Sequence, residues 1–316
     1  MLLWNILGFI LAGAFLVIAA QKAVQHVSAI ARQYRLSEFV VSFIIVGFVS
    51  TFPEFFVLIM SAFNGVPELG LGTVLGNNVT DLTLVLGLVV LAGGTLALRA
   101  KTVEHDLAYM LLVTLPALVA LDGIVSRIDG VLLLGAGGYY VSQLVRDARV
   151  FHKVFRNGKG GKHPWWHIVS SVFSIGVLLI AARLVVWFSE ALAIDLSVPS
   201  FLIGAVIIAG GAALPELSFA LRAMLSKNPQ LAWGDLMGNV VFDATIVIGV
   251  VALFRPITIA LPEMTVMGLA TMAAATAAIT AVRTGNRVTR MEGLGLVALY
   301  LLYVAVQFLG MERVFG

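Results

Sequence analysis

Apolar residues in this chain gather in long blocks separated by short polar breaks. A helix that crosses a bilayer needs about 20 mostly apolar residues. Ten blocks meet that need, near residues 3–21, 39–63, 69–98, 105–121, 130–145, 167–189, 199–226, 231–254, 262–282 and 291–311. The weakest break is Leu121–Ile128, between the fourth and fifth blocks. The one long polar stretch, Arg146–His167, holds the run Asn157-Gly158-Lys159-Gly160-Gly161-Lys162 and reads as a flexible connector. The pattern predicts an all-α membrane protein. Spans 1–5 occupy residues 1–145, a basic connector occupies 146–166, and spans 6–10 occupy 167–316.

Sliding the sequence on itself by 162 residues exposes a repeat. Phe39 falls on Phe201, Pro53 on Pro215, Glu54 on Glu216 and Pro67 on Pro229. Farther along, Gly76 meets Gly238, Asn77 meets Asn239, Asp81 meets Asp243 and Gly87 meets Gly249, with no gap. Apolar matches such as Ile45 with Ile207 follow from composition, but Pro, Glu, Asn and Asp pairs in one register do not. Five spans per half is an odd number, so the second half enters the membrane from the opposite side. The expected architecture is ten transmembrane helices in two inverted five-helix repeats, a plan used by secondary transporters with the substrate site where the halves meet.

Composition sharpens this picture. The chain is 60% apolar and only 12% charged, which makes lipid the main solvent. It has no cysteine, so disulfides and thiolate metal sites are excluded. The formal charge of +3 is spread over short loops, which argues against nucleic acid as a partner and leaves the lipid bilayer and inorganic cations. With the N-terminus outside, inside loops hold 16 of the 20 Lys and Arg residues and outside loops hold only Arg127, Arg255 and Arg313. The positive-inside rule therefore puts both termini outside and the connector in the cytoplasm. The expected location is the plasma (inner) membrane, with residues 3–21 read as a retained span rather than a leader.

Of the 17 Asp and Glu residues, 13 lie in loops or near span ends, and Glu54, Asp81, Glu216 and Asp243 lie deep. A lone carboxylate at bilayer centre costs several kcal/mol, so it needs a partner. Only Arg183 lies inside a span as a candidate cation, and one cation cannot neutralise four acids. At 1.5 Å per residue all four positions approach mid-membrane. Hard oxygens suit Ca²⁺, Mg²⁺, Mn²⁺, Na⁺ or protons. Pro53 and Pro215 directly precede the two glutamates and predict helix breaks that free the carbonyls of 49–52 and 211–214. Asn77 and Asn239 sit four residues before the aspartates, on the same helical face. Ser50 and Thr51 offer hydroxyls, where the second half has Ala212 and Ala213. Asn78 faces Val240 in the repeat and carries less weight. The metal-ligand set is therefore Glu54, Glu216, Asp81, Asp243, Asn77, Asn239, Ser50 and Thr51, with no catalytic residue and no cofactor.

These residues resemble the calcium/cation antiporter superfamily, which includes the sodium/calcium exchangers. The matching segments read Gly47-Phe48-Val49-Ser50-Thr51-Phe52-Pro53-Glu54 and Gly76-Asn77-Asn78-Val79-Thr80-Asp81 in the first half. In the second half they read Ala209-Gly210-Gly211-Ala212-Ala213-Leu214-Pro215-Glu216 and Gly238-Asn239-Val240-Val241-Phe242-Asp243. The resemblance implies exchange of a divalent cation, chiefly Ca²⁺, for H⁺ and/or Na⁺ by alternating access, with the first and sixth spans as a sliding pair. The missing hydroxyls of the second half weaken the implied Na⁺ site, and Asp81 stands where sodium exchangers often carry Asn. Two other classes compete: an intramembrane aspartyl protease and a cation-binding protein that does not transport. A protease has no need of repeated Glu–Asp pairs, and Asp235, which follows Gly234, meets Thr73 in the first half.

Overall fold

The structure, a computed structural model, describes residues 1–33, 51–98, 106–148, 164–227 and 229–315. Each expected apolar block contains a helix. We label them α1 (Leu2–Gln33), α2 (Phe52–Asn64), α3 (Pro67–Thr80, then Asp81–Val85 and Leu86–Gly93), α4 (Asp106–Val119) and α5 (Arg127–Ala148). The second half holds α6 (Pro164–Leu196), α7 (Ser200–Leu202, Ile203–Ile208 and Ala209–Leu225), α8 (Pro229–Phe242, Asp243–Val247 and Ile248–Phe254), α9 (Leu261–Arg283) and α10 (Arg290–Phe315). Among the described residues, seven of these are long and apolar enough to cross a membrane: α1, α3, α6, α7, α8, α9 and α10. The chain is an α-helical integral membrane protein.

Local sequence explains several helix limits. Proline opens α3, α6 and α8, at the position where its missing N–H costs no hydrogen bond. Gly65 closes α2 in the left-handed conformation, φ 89°, and its amide donates to the Ser61 carbonyl. Helices α5 and α10 each begin at a reciprocal cap. Ser126 and Thr289 bond the carboxylates of Asp129 and Glu292 three residues on, and the amides of Asp129 and Glu292 donate back to the hydroxyls.

Three expectations need correction. The third span was expected to reach residue 98, but its helix ends at Gly93, where Gly94 turns the chain at φ 90°. The connector was expected over 146–166, yet Arg146–Ala148 belong to α5 and Pro164–Trp166 to α6; 149–163 lie outside the described residues. Pro215 was expected to break its helix, but α-helix runs through it from Ala209 to Leu225. One missing amide costs one hydrogen bond, and the turns on either side hold the helix together. At Pro53 the chain does start a helix, with Thr51 as its non-helical cap; the part of that span before Thr51 lies outside the described residues.

Helices α3 and α8 form the centre, with 83% of their span residues buried in each, against 17% for α1. Around them pack α2 and α7, with α10 against α3, α5 against α8, and α9 against α4. Helix α3 meets α7 very closely: a Cβ on Gly76 would fall 2.7 Å from the Ala205 Cα and closer still to the Ala205 carbonyl oxygen. Helices α1 and α6 form an antiparallel pair over an apolar cluster that includes Ala12, Leu16, Ala181, Ala182 and Val185 and continues into Phe52, Phe56 and Val57 of α2 and Ile203 and Ile208 of α7. The Asn5 amide near the start of α1 donates to Asp195 near the end of α6 at 2.7 Å.

Two short antiparallel ribbons tie the halves together. Strand β1 (Leu96–Ala97) pairs with β4 (Arg287–Val288), and β2 (Ile124–Val125) with β3 (Ile257–Thr258). Each ribbon joins a loop of one half to a non-equivalent loop of the other.

Candidate functional site: a buried carboxylate centre

Glu54 lies in the first turn of α2 and Glu216 lies in α7, one residue past Pro215. Asp81 and Asp243 each occupy the first position of a five-residue π-helical turn, in α3 and α8 respectively. Such turns are rare and concentrate at functional sites, because the wider turn displaces backbone groups from regular bonding. Their appearance 162 residues apart, each opened by an Asp, matches the repeat register. A third π-helical turn, Ile203–Ile208, lies upstream in α7.

All four acids are buried: Glu54 is 1% exposed, Glu216 3%, and Asp81 and Asp243 0%. Among the described residues no Lys or Arg is buried, and Arg183 is exposed on α6. Among the described side chains the acids therefore have one another and neutral dipoles for company. Glu54 feels the charge of Asp243 and Asp81, Asp81 that of Glu216, and Glu216 that of Glu54. Burying even one unpaired carboxylate costs several kcal/mol. This group calls for compensating positive charge.

The two asparagines knit the acids together. The Asn77 amide donates to Asp81 Oδ2 within α3 and to Asp243 Oδ2 across to α8, both at 3.4 Å. The Asn239 amide donates to Glu216 Oε1 across to α7 at 3.1 Å. Both amides point nitrogen at the acids and so steady the carboxylates. Among the described residues the remaining oxygens have no hydrogen-bond partner: both of Glu54, Asp81 Oδ1, Asp243 Oδ1, Glu216 Oε2 and the Asn77 carbonyl oxygen. Buried acceptors without partners are costly and rare. Hard oxygens left free in this way fit a hard cation or protons. Among the described residues no three Asp, Glu or His side chains close tightly enough to enclose one ion unaided. Amide and backbone oxygens have to complete any coordination shell.

The remaining candidates divide. Thr51 is 1% exposed beside the α2 cap, whereas Ser50 lies outside the described residues. Ala212 and Ala213 are buried where hydroxyls would otherwise stand. Asn78, discounted for lack of a repeat partner, is 0% exposed with both amide atoms unpartnered. The signal was there in the sequence: two adjacent Asn residues in an apolar span. Tyr303 of α10 was not singled out at all; its hydroxyl donates to the Ala205 carbonyl in the α7 π-helical turn at 2.8 Å.

A profile of the family described as sodium/calcium exchanger protein matches residues 4–145 and 166–309. The chain belongs to the sodium/calcium exchanger family. The family consists of exchangers, so the chain is a membrane cation antiporter and not an enzyme, and the protease reading falls away. Among curated relatives, the chain is similar to the putative antiporter CaxA of Alkalimonas amylolytica, 29% identical over 257 residues, covering 78% of this chain and 80% of that one. It is also similar to the inner membrane protein YrbG of Escherichia coli, 26% identical over 259 residues, covering 78% and 79%. Among solved structures, the sodium-calcium exchanger NCX_Mj soaked with 10 mM Na⁺ and zero Ca²⁺ superposes with a TM-score of 0.65 at 22% identity, over 96% of this chain and 99% of that one. That likeness shows that this exchanger shares the fold.

Proposed function

We propose that this exchanger moves Ca²⁺ in exchange for H⁺, Na⁺ or both, by alternating access, with Glu54, Glu216, Asp81 and Asp243 as the cation-binding acids. The observation that carries the reading is the buried quartet itself. Both halves contribute an Asp and a Glu, and among the described residues several of their oxygens have no partner and no buried Lys or Arg neutralises them. Asn77 and Asn239 set the acids in place, and Thr51 with Ser50 adds hydroxyl oxygens on the first-half side only.

Two inverted repeats, α1–α5 and α6–α10, joined by the basic stretch between α5 and α6, are part of this proposal. Three features favour them: π-helical turns in repeat register, antiparallel α1 and α6, and ribbons that pair non-equivalent loops. The extensive packing of α1 on α6 fits a pair that slides as one unit along the other helices. The distribution of Lys and Arg supports outside termini and a cytoplasmic connector in the plasma (inner) membrane.

Charge balance favours a part for protons. Four ionised carboxylates carry −4 and one divalent ion supplies +2, so further cations or protons must meet the rest. Ala212 and Ala213 leave the second half without the hydroxyls that would help hold Na⁺. The test is ⁴⁵Ca²⁺ uptake into proteoliposomes, driven by a pH gradient without sodium and separately by a sodium gradient at constant pH. Uptake under the first condition supports proton coupling. Uptake under the second alone assigns sodium coupling, and uptake under neither overturns Ca²⁺ transport.

A further inference from the structure

We propose that Asp235 is an outer cation-binding residue on one approach to the buried acids, so that the two faces of the exchanger receive cations differently. This inference rests on the cation-transport reading above. Asp235, Asn239 and Asp243 are spaced i, i+4, i+8 in α8 and so share one face of the helix. The three form a graded series. Asp235 is partly exposed, Asn239 is 1% exposed and Asp243 is 0% exposed. At 1.5 Å per residue the series covers about 12 Å along the helix axis. It runs from near the start of α8, at Pro229, to the centre of the fold.

Asp235 does not simply face lipid. Its charge acts on both Asp81 of α3 and Glu216 of α7. Those two acids hold the unpartnered buried oxygens Asp81 Oδ1 and Glu216 Oε2. A cation resting at Asp235 is thus drawn onward by oxygens that have no other partner.

The matching position of the first half holds no acid. Thr73 occupies the matching place, is 0% exposed, and spends its hydroxyl on the Leu69 carbonyl at 2.9 Å. The helix beside it is closed off: a Cβ on Gly72 would meet the Phe201 carbonyl oxygen at 2.7 Å, and one on Gly204 would meet the Leu69 carbonyl oxygen. At this repeat position the carboxylate therefore marks one approach only. Helix α8 packs against β1 there, and β1 pairs with β4, which carries the exposed Arg287. On a face rich in basic side chains, one acid in the approach offsets repulsion of incoming cations.

The experiment compares wild type, Asp235→Asn and Asp235→Glu in right-side-out and inside-out vesicles, reading ⁴⁵Ca²⁺ uptake against concentration. Asp235→Asn should raise the apparent KM at the α8 N-terminal face about fivefold relative to the KM at the opposite face. The difference should shrink at high ionic strength, because screening weakens a charge effect and spares a folding defect. Asp235→Glu should restore the wild-type ratio. An equal rise at both faces, a salt-independent rise, or no change overturns the inference while wild-type uptake keeps the transport reading intact. Wild type that moves no cation overturns both.

Discussion

Gly76→Ala tests whether the tight crossing of α3 and α7 sets the geometry of the site. The added methyl would sit 2.7 Å from the Ala205 Cα and 2.8 Å from its carbonyl carbon. Carbon pairs prefer about 3.5–4.0 Å, so the helices must part by about 1 Å. Both neighbours are backbone, so no side chain can swing away. The Ala205 carbonyl is also held by the Tyr303 hydroxyl at 2.8 Å. Overpacking of this kind costs about 1–3 kcal/mol, offset by about 1 kcal/mol from replacing a helical glycine. The net loss of stability should be at most about 2 kcal/mol. The functional loss should be larger. Asn77, the next residue, reaches Asp81 and Asp243 at 3.4 Å, already long for a hydrogen bond. A shift of about 1 Å breaks the bridge to Asp243, and Ca²⁺ tolerates only about 2.3–2.6 Å to its oxygens. Each lost charge-assisted bond is worth about 1.5–3 kcal/mol, which is about tenfold or more in apparent affinity. The assay pairs ⁴⁵Ca²⁺ uptake in proteoliposomes with thermal unfolding in detergent. Gly176→Ala in α6 is the control, because no described atom lies within 4 Å of its added methyl. Wild-type uptake and unfolding temperature in Gly76→Ala would refute the reasoning.

Glu54→Gln and Glu216→Gln should each remove most Ca²⁺ uptake while the purified protein keeps its helical circular dichroism; wild-type flux in both would defeat the proposed site. Asp81→Asn should weaken the response to a pH gradient more than it weakens Ca²⁺ affinity, since asparagine cannot take up a proton when the metal leaves; parallel losses would count against proton coupling. Asn239→Ala removes the 3.1 Å donor to Glu216 and should lower apparent Ca²⁺ affinity about tenfold in the same uptake assay. Thr289→Ala breaks the cap of α10 and should cost about 1 kcal/mol in thermal unfolding with little change in uptake, because that cap lies at a helix end outside the acid cluster.

Much of the protein was legible along the chain. The length of apolar runs determined where helices form, because crossing lipid depends on consecutive residues. The 162-residue register paired Glu54 with Glu216 and Asp81 with Asp243, and all four prove to be buried together. What escaped reading depends on contacts between distant helices. The Asp81-Leu82-Thr83-Leu84-Val85 and Asp243-Ala244-Thr245-Ile246-Val247 segments look like ordinary helix, yet both adopt π-helical turns in the packed centre. The repeat implied symmetric asparagines, but Asn77 serves the two aspartates while Asn239 serves Glu216. Asn78 was undervalued because symmetry says nothing about a residue present in only one half. Pro215 looked like a break because proline's penalty is local, whereas a continuous helix there depends on the turns packed around it. Sequence determines what acts within a turn or two of helix: length, proline, and the i, i+4 face. Only the tertiary structure decides how each helix is rotated about its axis, and that rotation selects which polar atoms meet and which are left for a cation.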